Sequence, residues 1–337
     1  MTTAHNLLLA PLAGISDYPF RQICREFGAD LTFTEMISVE GLIQRNWLTR
    51  QMISVKRCEK PVGIQLFGKD PDSFERAVSV IHELAPDVID LNFGCPVQKV
   101  VKKGAGAALL KDLSRMEKIV RMAAQGPLPV TAKIRIGWDL ANIVAVDAAR
   151  AVEAGGAAAV TVHARTRNQG YSGKAHWEYI ARVKEAVQIP VIGNGDVVDG
   201  PSARDLFRLT GADGIMLARG VLGRPWVFDE ILRFLECGEG GQAPAMEERL
   251  EILKRHYRLA AEEYGNELAL RRMKKLFVWY THGMPFATGI RNQIFRMNNF
   301  SDVEQLLSNY ADRLRRRAAL KNKLSSKKVE GLVIGKA

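Results

Sequence analysis

Short apolar runs alternate with amphipathic segments along the first two thirds of the chain. Eight such runs, each bounded by turn residues, cover the region 7–15 and residues 31–36, 62–67, 88–93, 130–136, 157–164, 190–195 and 214–219. The stretches between them, such as DSFERAVSVIHEL and AVDAARAVEAGG, have apolar residues at helical spacing. Apolar strands that alternate with helices are typical of a parallel sheet covered by helices. Eight units in about 230 residues predict a TIM (β/α)8 barrel, an α/β fold.

The pattern changes after the eighth unit. A glycine-rich stretch, ECGEGGQAPA, precedes a region in which the apolar spacing is helical throughout. We therefore expect a barrel domain over residues 1–236, a linker over 237–245 and a small all-helical domain over 246–320. Residues 321–337 are basic with few apolar positions, and we expect them to form a mobile tail.

Composition argues against several classes of protein. The apolar fraction of 47% and the charged fraction of 25% are ordinary for a soluble globular protein. Cys24, Cys58, Cys95 and Cys237 lie far apart with no C-x-x-C pair, which argues against a disulfide framework, a zinc site and an iron–sulfur cluster. No apolar run has the length of a membrane span, and the N-terminal apolar patch lacks the basic leader of a signal peptide. We expect a cytoplasmic monomer with no membrane or metal partner.

Positive charge is concentrated in the last quarter of the chain. The formal net charge is +11, and residues 246–337 contain 19 Lys and Arg but only 10 Asp and Glu, which leaves about +2 for the rest. Such a local excess favours a polyanionic partner, nucleic acid before membrane, although a solvated face of a helical domain is the alternative. The segment RRMKKLFVWY combines cations with aromatic residues, which suits RNA, but helical spacing favours a core position for the aromatics.

Polar residues gather at the predicted carboxyl ends of the strands, where TIM barrels carry their chemistry. In chain order these ends supply Pro11 and Ala13, Glu35 and Met36, Gln65, Asn92 and Cys95, Lys133 and Arg135, His163 and Arg165, Asn194 to Asp196, and Ala218 to Gly220. So many polar residues on one rim indicate a site rather than an ordinary surface.

The rim has features that suit a phosphorylated, flavin-like ligand. IGNGDV and ARGVLGRPW place glycines after the seventh and eighth strands, where TIM barrels commonly bind phosphate through backbone N–H groups. Lys133 and His163 sit mid-rim, and a cation suits a ring that gains negative charge on reduction. Gln65 can bond the edge of such a ring as donor and acceptor together. The alternatives are a lysine that extends to solvent and a structural histidine.

Cys95 stands between a glycine and a proline at the predicted end of the fourth strand. It can be a small buried hydrophobe, an acid, a nucleophile or a metal ligand. A nucleophilic cysteine needs a nearby histidine or helix N-terminus to form thiolate, and no such base is adjacent in the sequence. A thiol with an ordinary pKa of about 8.5 is mostly protonated near pH 7 and can act as a general acid without one. We therefore favour an acid.

Several blocks together carry a resemblance to a known family. They are LNFGCPVQKVVKKGAGAALLKD, KIRIGWD, VHARTRNQGYSGKAHW and GNGDV, within a likeness that runs from APLAGISDYPFR to RRMKKLFVWYTHGMP. In these blocks the chain resembles the bacterial tRNA-dihydrouridine synthases, flavoproteins that reduce uridine in transfer RNA. Ala164 stands where the family more often has glycine. The resemblance implies FMN in the barrel mouth, NADPH as the reductant and a C-terminal helical domain that binds tRNA.

The resemblance also implies roles for individual residues. The flavin ring and ribityl chain would be held by Pro11, Leu12, Ala13, Gln65, Lys133 and His163. The cofactor phosphate would be held by Asn194, Gly195, Asp196, Ala218 and Arg219. Cys95 would donate a proton, and the target uracil would lie near Asn92, Arg135 and Tyr171. Candidate RNA contacts are Arg271, Arg272, Lys274, Lys275 and Arg291.

Two other functions compete with this interpretation. The first is an FMN-dependent barrel oxidoreductase that acts on a free pyrimidine or another small metabolite, in the manner of dihydroorotate dehydrogenase. It explains the barrel rim but leaves the basic C-terminal region without a task. The second is a non-catalytic RNA-binding protein on a barrel scaffold, which should neither contain nor take up FMN.

Overall fold

The chain divides into two compact units. The structure is a computed structural model that describes residues 6–46, 49, 52, 53, 55–241 and 243–334. The first unit comprises Met1–Val221 with Pro225–Gly241, and the second comprises Leu222–Arg224 with Gln242–Ala337. Gln242 of the expected linker and residues 335–337 of the expected tail lie outside the described residues.

The first unit is a closed parallel barrel, which confirms the predicted fold. The strands in the described residues are β1 Asn6–Leu9, β2 Leu31–Phe33, β3 Ile37–Ser38, β4 Val62–Phe67, β5 Val88–Phe93, β6 Val130–Arg135, β7 Ala159–His163, β8 Val191–Asn194 and β9 Gly214–Leu217. The barrel closes because β1 pairs with both β2 and β9, and β2 pairs with β4. The predicted second strand ends at Phe33, and β3 is a two-residue addition beside the end of β4.

Helices connect the strands, and some of them begin at a capping side chain. They are α1 Tyr18–Glu26, α2 Val39–Ile43, α3 Pro71–His82, α4 Gln98–Val101, α5 Leu113–Ala123, α6 Ala145–Ala154, α7 Glu178–Ala186, α8 Gly200–Thr210 and α9 Val227–Cys237. Helix α3 has the Asp70 side chain as its N-cap, at 3.1 Å from the Ser73 amide, and a proline in its first turn. Helix α8 ends at Gly211, whose φ of 65° is the left-handed conformation that favours glycine.

Alternate residues of β1 face two different apolar layers. Leu7 and Leu9 of β1 belong to the large core between strands and helices. Leu8 belongs to a smaller buried cluster whose other members are Ala10, Phe33, Val88, Ile192 and Met216. Strands that are buried on both faces read as continuous apolar runs, which is why the sequence pattern identifies them. Towards the carboxyl end of β5, the residues on the same face as Val88 are polar, namely Asp90 and Asn92.

The second unit is helical, as predicted. Its described helices are α10 Met246–Tyr264, α11 Asn266–Tyr280, α12 Ala287–Arg296 and α13 Phe300–Ile334. Tyr257 lies at the centre of its core, with ring centroids 4.2 Å from Phe300 and 5.5 Å from Phe277. The backbone of residues 321–334, which the sequence suggested as a tail, continues α13. No helix in the described part of the chain combines the length and the apolar character needed to cross a membrane.

Candidate active site

An open pocket lies at the carboxyl ends of the barrel strands. It holds about 640 Å³, counting the part open to solvent, and is lined by Pro11, Leu12, Ala13, Met36, Gln65, Asn92, Gly94, Cys95, Pro96, Val97, Lys133, Arg135, His163 and Tyr171. These residues come from seven separate stretches of sequence, and they include every predicted ring, uracil and proton-donor residue. The five predicted phosphate residues do not line this pocket. Parallel strands end at one edge, so residues far apart in sequence meet there.

Cys95 is a buried free thiol at the start of the loop after β5. Burial raises its pKa, although a backbone hydrogen bond at Val97 and the charge of Arg135 act in the opposite direction. The loop after it packs closely, because a Cβ at Gly106 would lie 2.9 Å from the Cys95 carbonyl oxygen, and Gly106 has a φ of 60°. The thiol therefore keeps its proton at neutral pH, as a general acid requires.

The amide of Gln65 is held from two sides inside the protein. Its Nε2 donates to Asp90 Oδ2 at 2.6 Å, and its Oε1 accepts from Asn92 Nδ2 at 2.8 Å. Asp90 also accepts from Thr131 Oγ1 at 2.7 Å and is fully buried. Sequence reasoning missed Asp90. The available signal was its position two residues before Asn92, which places both side chains on one face of β5.

Lys133 is a cation whose direct partner is an amide. Its Nζ donates to Asn194 Oδ1 at 2.8 Å, and Asn194 Nδ2 donates to the Met216 carbonyl at 2.6 Å. Burial, reinforced by the charge of Arg135 and opposed by Asp90, lowers the pKa of Lys133 from 10.5 to about 7. Burial and then the surrounding cations, Lys133 first, lower the pKa of His163 well below its ordinary value. The pocket thus presents a neutral imidazole beside a partly charged ammonium.

Arg135 forms one wall of the pocket. Its guanidinium donates to the carbonyls of Gly94, Thr166 and Gly170 at 2.7, 2.9 and 2.8 Å and lies 5.5 Å from the centre of the Tyr171 ring. Burial lowers its pKa to about 10, so it remains a cation at neutral pH. Tyr171 is 58% exposed and lies at the open side of the pocket.

Two of the predicted phosphate residues, Gly195 and Asp196, lie beside an arginine that sequence reasoning left without a role. Arg165 is buried and its Nη2 donates to both Asp196 oxygens at 2.6 and 2.7 Å, while Arg219 Nη2 lies 3.2 Å from Asp196 Oδ1. Burial alone would raise the pKa of Asp196, but these contacts and the Ala175 amide hold it below its ordinary value. Arg165 Nη1 has no hydrogen-bond partner among the described residues. The Arg165 Nη1 atom lies 3.6 Å from the position that a Cβ on Gly195 would take. Ala218, another of the predicted phosphate residues, directly follows β9.

The candidate RNA-binding residues of the second unit differ in their exposure and in the contacts that their charged groups make. Arg271 and Lys275 are exposed. Lys274 Nζ donates to the Phe295 carbonyl at 3.0 Å, Arg291 Nε donates to Thr281 Oγ1 at 2.9 Å, and the Arg272 guanidinium lies 4.2 Å from the Tyr264 ring. Of the aromatics in this segment, Phe277 and Tyr280 are fully buried, so they belong to the core as their helical spacing indicated.

Comparison with known proteins places these features in a family. Residues 8–317 match the family model for dihydrouridine synthase (Dus). A probable tRNA-dihydrouridine synthase of Rickettsia prowazekii (strain Madrid E) is 36% identical over 90% of this chain and 94% of that protein. One of Mycobacterium tuberculosis (strain ATCC 25618 / H37Rv) is 39% identical over 90% of this chain and 82% of that protein.

A solved structure shows the same fold at much lower identity. Histamine dehydrogenase from Rhizobium sp. 4-9 is similar with a TM-score of 0.53 and 14% identity, over 69% of this chain and 46% of that chain. Likeness at this level concerns the barrel architecture alone. Within the described residues, no group of three or more His, Cys, Asp or Glu side chains is placed to hold a metal ion.

Proposed function

Because this chain belongs to the dihydrouridine synthase family, we propose that it reduces the 5,6 double bond of specific uridines in transfer RNA, with FMN as cofactor and NADPH as reductant. The observation that carries the proposal is the pocket itself. A buried, protonated thiol at Cys95 shares it with the partly charged Lys133, the cation of Arg135 and the amides of Gln65 and Asn92. An acid beside positively charged groups is the chemistry that reduction of an enone-like ring requires.

The residues of the pocket fit a flavin mononucleotide. Arg165 Nη1 is a buried donor without a partner in the described residues, and it lies beside Gly195, whose φ of 131° favours glycine. A phosphate group would give that donor an acceptor. Lys133 bonds an amide rather than a carboxylate at its Nζ, so its charge suits a ring that becomes anionic. When bound, the reduced flavin would supply the hydride for carbon 6 of the uracil.

Cofactor binding would then be divided along the rim. Pro11, Leu12, Ala13, Gln65, Lys133 and His163 would hold the ring and ribityl chain. Asn194, Gly195, Asp196, Ala218 and Arg219 would hold the phosphate end, together with Arg165.

The remaining chemistry falls to the chain's own side chains. Cys95 would give its proton to carbon 5 of the uracil, since burial keeps the thiol protonated at neutral pH. Arg135, whose charge persists at neutral pH, would stabilise negative charge that develops on the carbonyl oxygen at carbon 4. Asn92 and Tyr171 would position the base in the pocket. The hydride and the proton together account for both hydrogens of the product.

A base in folded RNA cannot reach a recessed pocket while it is stacked. It would have to be flipped out, at a cost of a few kcal/mol, and phosphate contacts from the basic helical unit would offset that cost. Arg271 and Lys275 are the best placed candidates for such contacts, because both side chains are exposed. Binding of tRNA should therefore weaken steeply as salt rises, whereas an enzyme of free metabolites should show no such dependence.

Replacement of the thiol tests the assignment of the acid. Cys95→Ala should bind FMN and accept electrons from NADPH but form no dihydrouridine, whereas the exposed Cys58→Ala should behave as wild type. Normal turnover in Cys95→Ala would disprove the general acid, and loss of flavin would make Cys95 structural. Position-by-position mapping of dihydrouridine in tRNA, from cells with and without this protein, tests the function as a whole.

A further inference from the structure

We propose that Asp90 is a positioning residue that fixes which way the amides of Gln65 and Asn92 face, and so holds the loop that carries Cys95. The side chains form one chain of hydrogen bonds from Thr131 through Asp90 and Gln65 to Asn92, with distances of 2.7, 2.6 and 2.8 Å. The chain ends where Asn92 Oδ1 accepts from the amides of Gly94 at 3.1 Å and Cys95 at 2.8 Å. The inference rests on the proposed function, which makes the place of the Cys95 thiol important.

The two ends of this chain set its direction. An ionised carboxylate only accepts hydrogen bonds, whereas a backbone N–H only donates. Burial raises the pKa of Asp90, while the hydrogen bonds from Thr131 and Gln65 and the charge of Lys133 act in favour of the ionised form. An amide side chain has a donor end and an acceptor end of nearly the same shape, so by itself it fits a polar site in two orientations. With Asp90 at one end, Gln65 presents Nε2 to the carboxylate and Oε1 to Asn92. Asn92 must then present Nδ2 to Gln65 and Oδ1 to the backbone amides.

Burial makes the direction matter. Asp90 is fully buried, Gln65 is 1% exposed and Asn92 is 9% exposed. If the Gln65 amide turned over, oxygen would face oxygen at Asp90 and nitrogen would face nitrogen at Asn92. Buried polar groups left without partners are costly, and water has little access here to replace the lost bonds.

Strand register places the carboxylate where it can act in this way. Gln65 of β4 is the Cα partner of Asp90 of β5, which is in turn the partner of Thr131 of β6. Their side chains therefore lie side by side on one face of three neighbouring strands. Asn92 is two residues further along the same face, nearer the pocket that it lines. Asp90 itself does not line the pocket and acts through its neighbours.

The fixed direction of the hydrogen bonds also determines which donor and which acceptor of Gln65 remain for a ligand. Gln65 uses one N–H on Asp90 and one lone pair of Oε1 on Asn92, which leaves one N–H and one lone pair. Both remaining groups belong to an amide that cannot exchange its two ends. A ring edge that needs a donor and an acceptor in a given order would be recognised in that order only.

A double-mutant cycle in the full-length protein tests the proposal, with Asp90→Asn, Thr131→Val and the two combined. Asparagine has the shape of the carboxylate but a donor at one end, and the Thr131 hydroxyl can accept from that donor, so the direction is kept. Valine removes the hydroxyl while the Asp90 carboxylate still accepts from Gln65. In the double variant the asparagine has lost the partner that orients it, so only the backbone amides of Gly94 and Cys95 still direct the chain, and the asparagine can oppose them by turning its Nδ2 towards Gln65.

The readouts are the alkylation rate of Cys95 in the flavin-free protein and the Kd for FMN. Iodoacetamide labelling resolved by mass spectrometry gives the first, with the exposed Cys58 as internal reference. Each single variant should stay within about threefold of wild type in both. The double variant should show a change about tenfold larger than the product of the single changes, since directly coupled groups are non-additive.

Multiplicative effects, or a large defect in Asp90→Asn alone, would overturn the proposal. An equal rise in the Cys58 rate would also overturn it, because general loosening of the fold would then explain the result. Alkylation needs neither tRNA nor NADPH. Coupling in a protein that makes no dihydrouridine would therefore refute the proposed function and leave the role of Asp90 intact.

Discussion

Replacement of Lys133 by methionine should stabilise the flavin-free protein, most strongly at mildly acid pH. Burial, reinforced by Arg135 and opposed by Asp90, lowers the pKa of this lysine from 10.5 to about 7 in the folded state. Below about pH 7 the lysine is charged in both states, so the folded state bears the full cost of a poorly solvated cation. As pH rises from 7 towards 10.5 the folded state loses the proton first, and the cost disappears. Stability of the wild type should therefore rise with pH in this window.

The pKa difference sets the size of the effect. One pKa unit corresponds to about 1.4 kcal/mol, so the cost near pH 6 is at most about 5 kcal/mol. Partial exposure of Lys133 to the open pocket reduces this figure, and methionine also loses the hydrogen bond to Asn194, worth about 1 kcal/mol. We expect Lys133→Met to be more stable than wild type by about 3 kcal/mol near pH 6 and by roughly nothing near pH 9.5.

Urea unfolding of the two proteins at both pH values measures this difference, because titration of groups that do not interact with Lys133 cancels in the comparison. Lys118→Met, on the exposed face of α5, is the matched control and should change stability by less than about 0.5 kcal/mol at either pH. A stability difference that does not change with pH would refute the reasoning, as would a less stable Lys133→Met at pH 6. Reduced FMN should stabilise the wild type more than the variant, because the anionic reduced ring would raise the pKa of the lysine.

Two further predictions concern the phosphate end of the site. Arg165→Met should lower the free energy of unfolding by about 2–4 kcal/mol, because Asp196 loses its buried partner. The exposed Arg150→Met is the control and should have little effect. A loss below about 1 kcal/mol for Arg165→Met in urea unfolding would contradict this prediction. Gly195→Ala should weaken binding of FMN far more than of riboflavin, because a Cβ would lie 2.9 Å from that of Ala175 in the loop proposed to hold the phosphate. Equal losses for the two ligands, measured by flavin fluorescence, would place Gly195 elsewhere in the site.

Much of this protein is already decided at the level of sequence. Eight apolar runs followed by helical patterns identify the barrel, because parallel strands buried on both faces need continuous apolar residues. Once the strands are known, their carboxyl ends must share one rim, so Gln65, Asn92, Cys95, Lys133 and His163 were predicted to meet and do line one pocket. The extent of the run 31–36 was predicted less well, because β2 ends at Phe33 and the next strand, β3, begins only at Ile37.

Only the tertiary structure decides how those residues are held and charged. Asp90 reads as one polar residue inside a strand until the register of β4, β5 and β6 sets Gln65 and Thr131 on either side of it. Arg165 gains its importance from Asp196, 31 residues further along the chain. The lowered pKa of Lys133 follows from burial by segments distant in sequence. Register and burial arise from packing between distant parts of the chain, so the local pattern that identifies strands and helices carries no record of them.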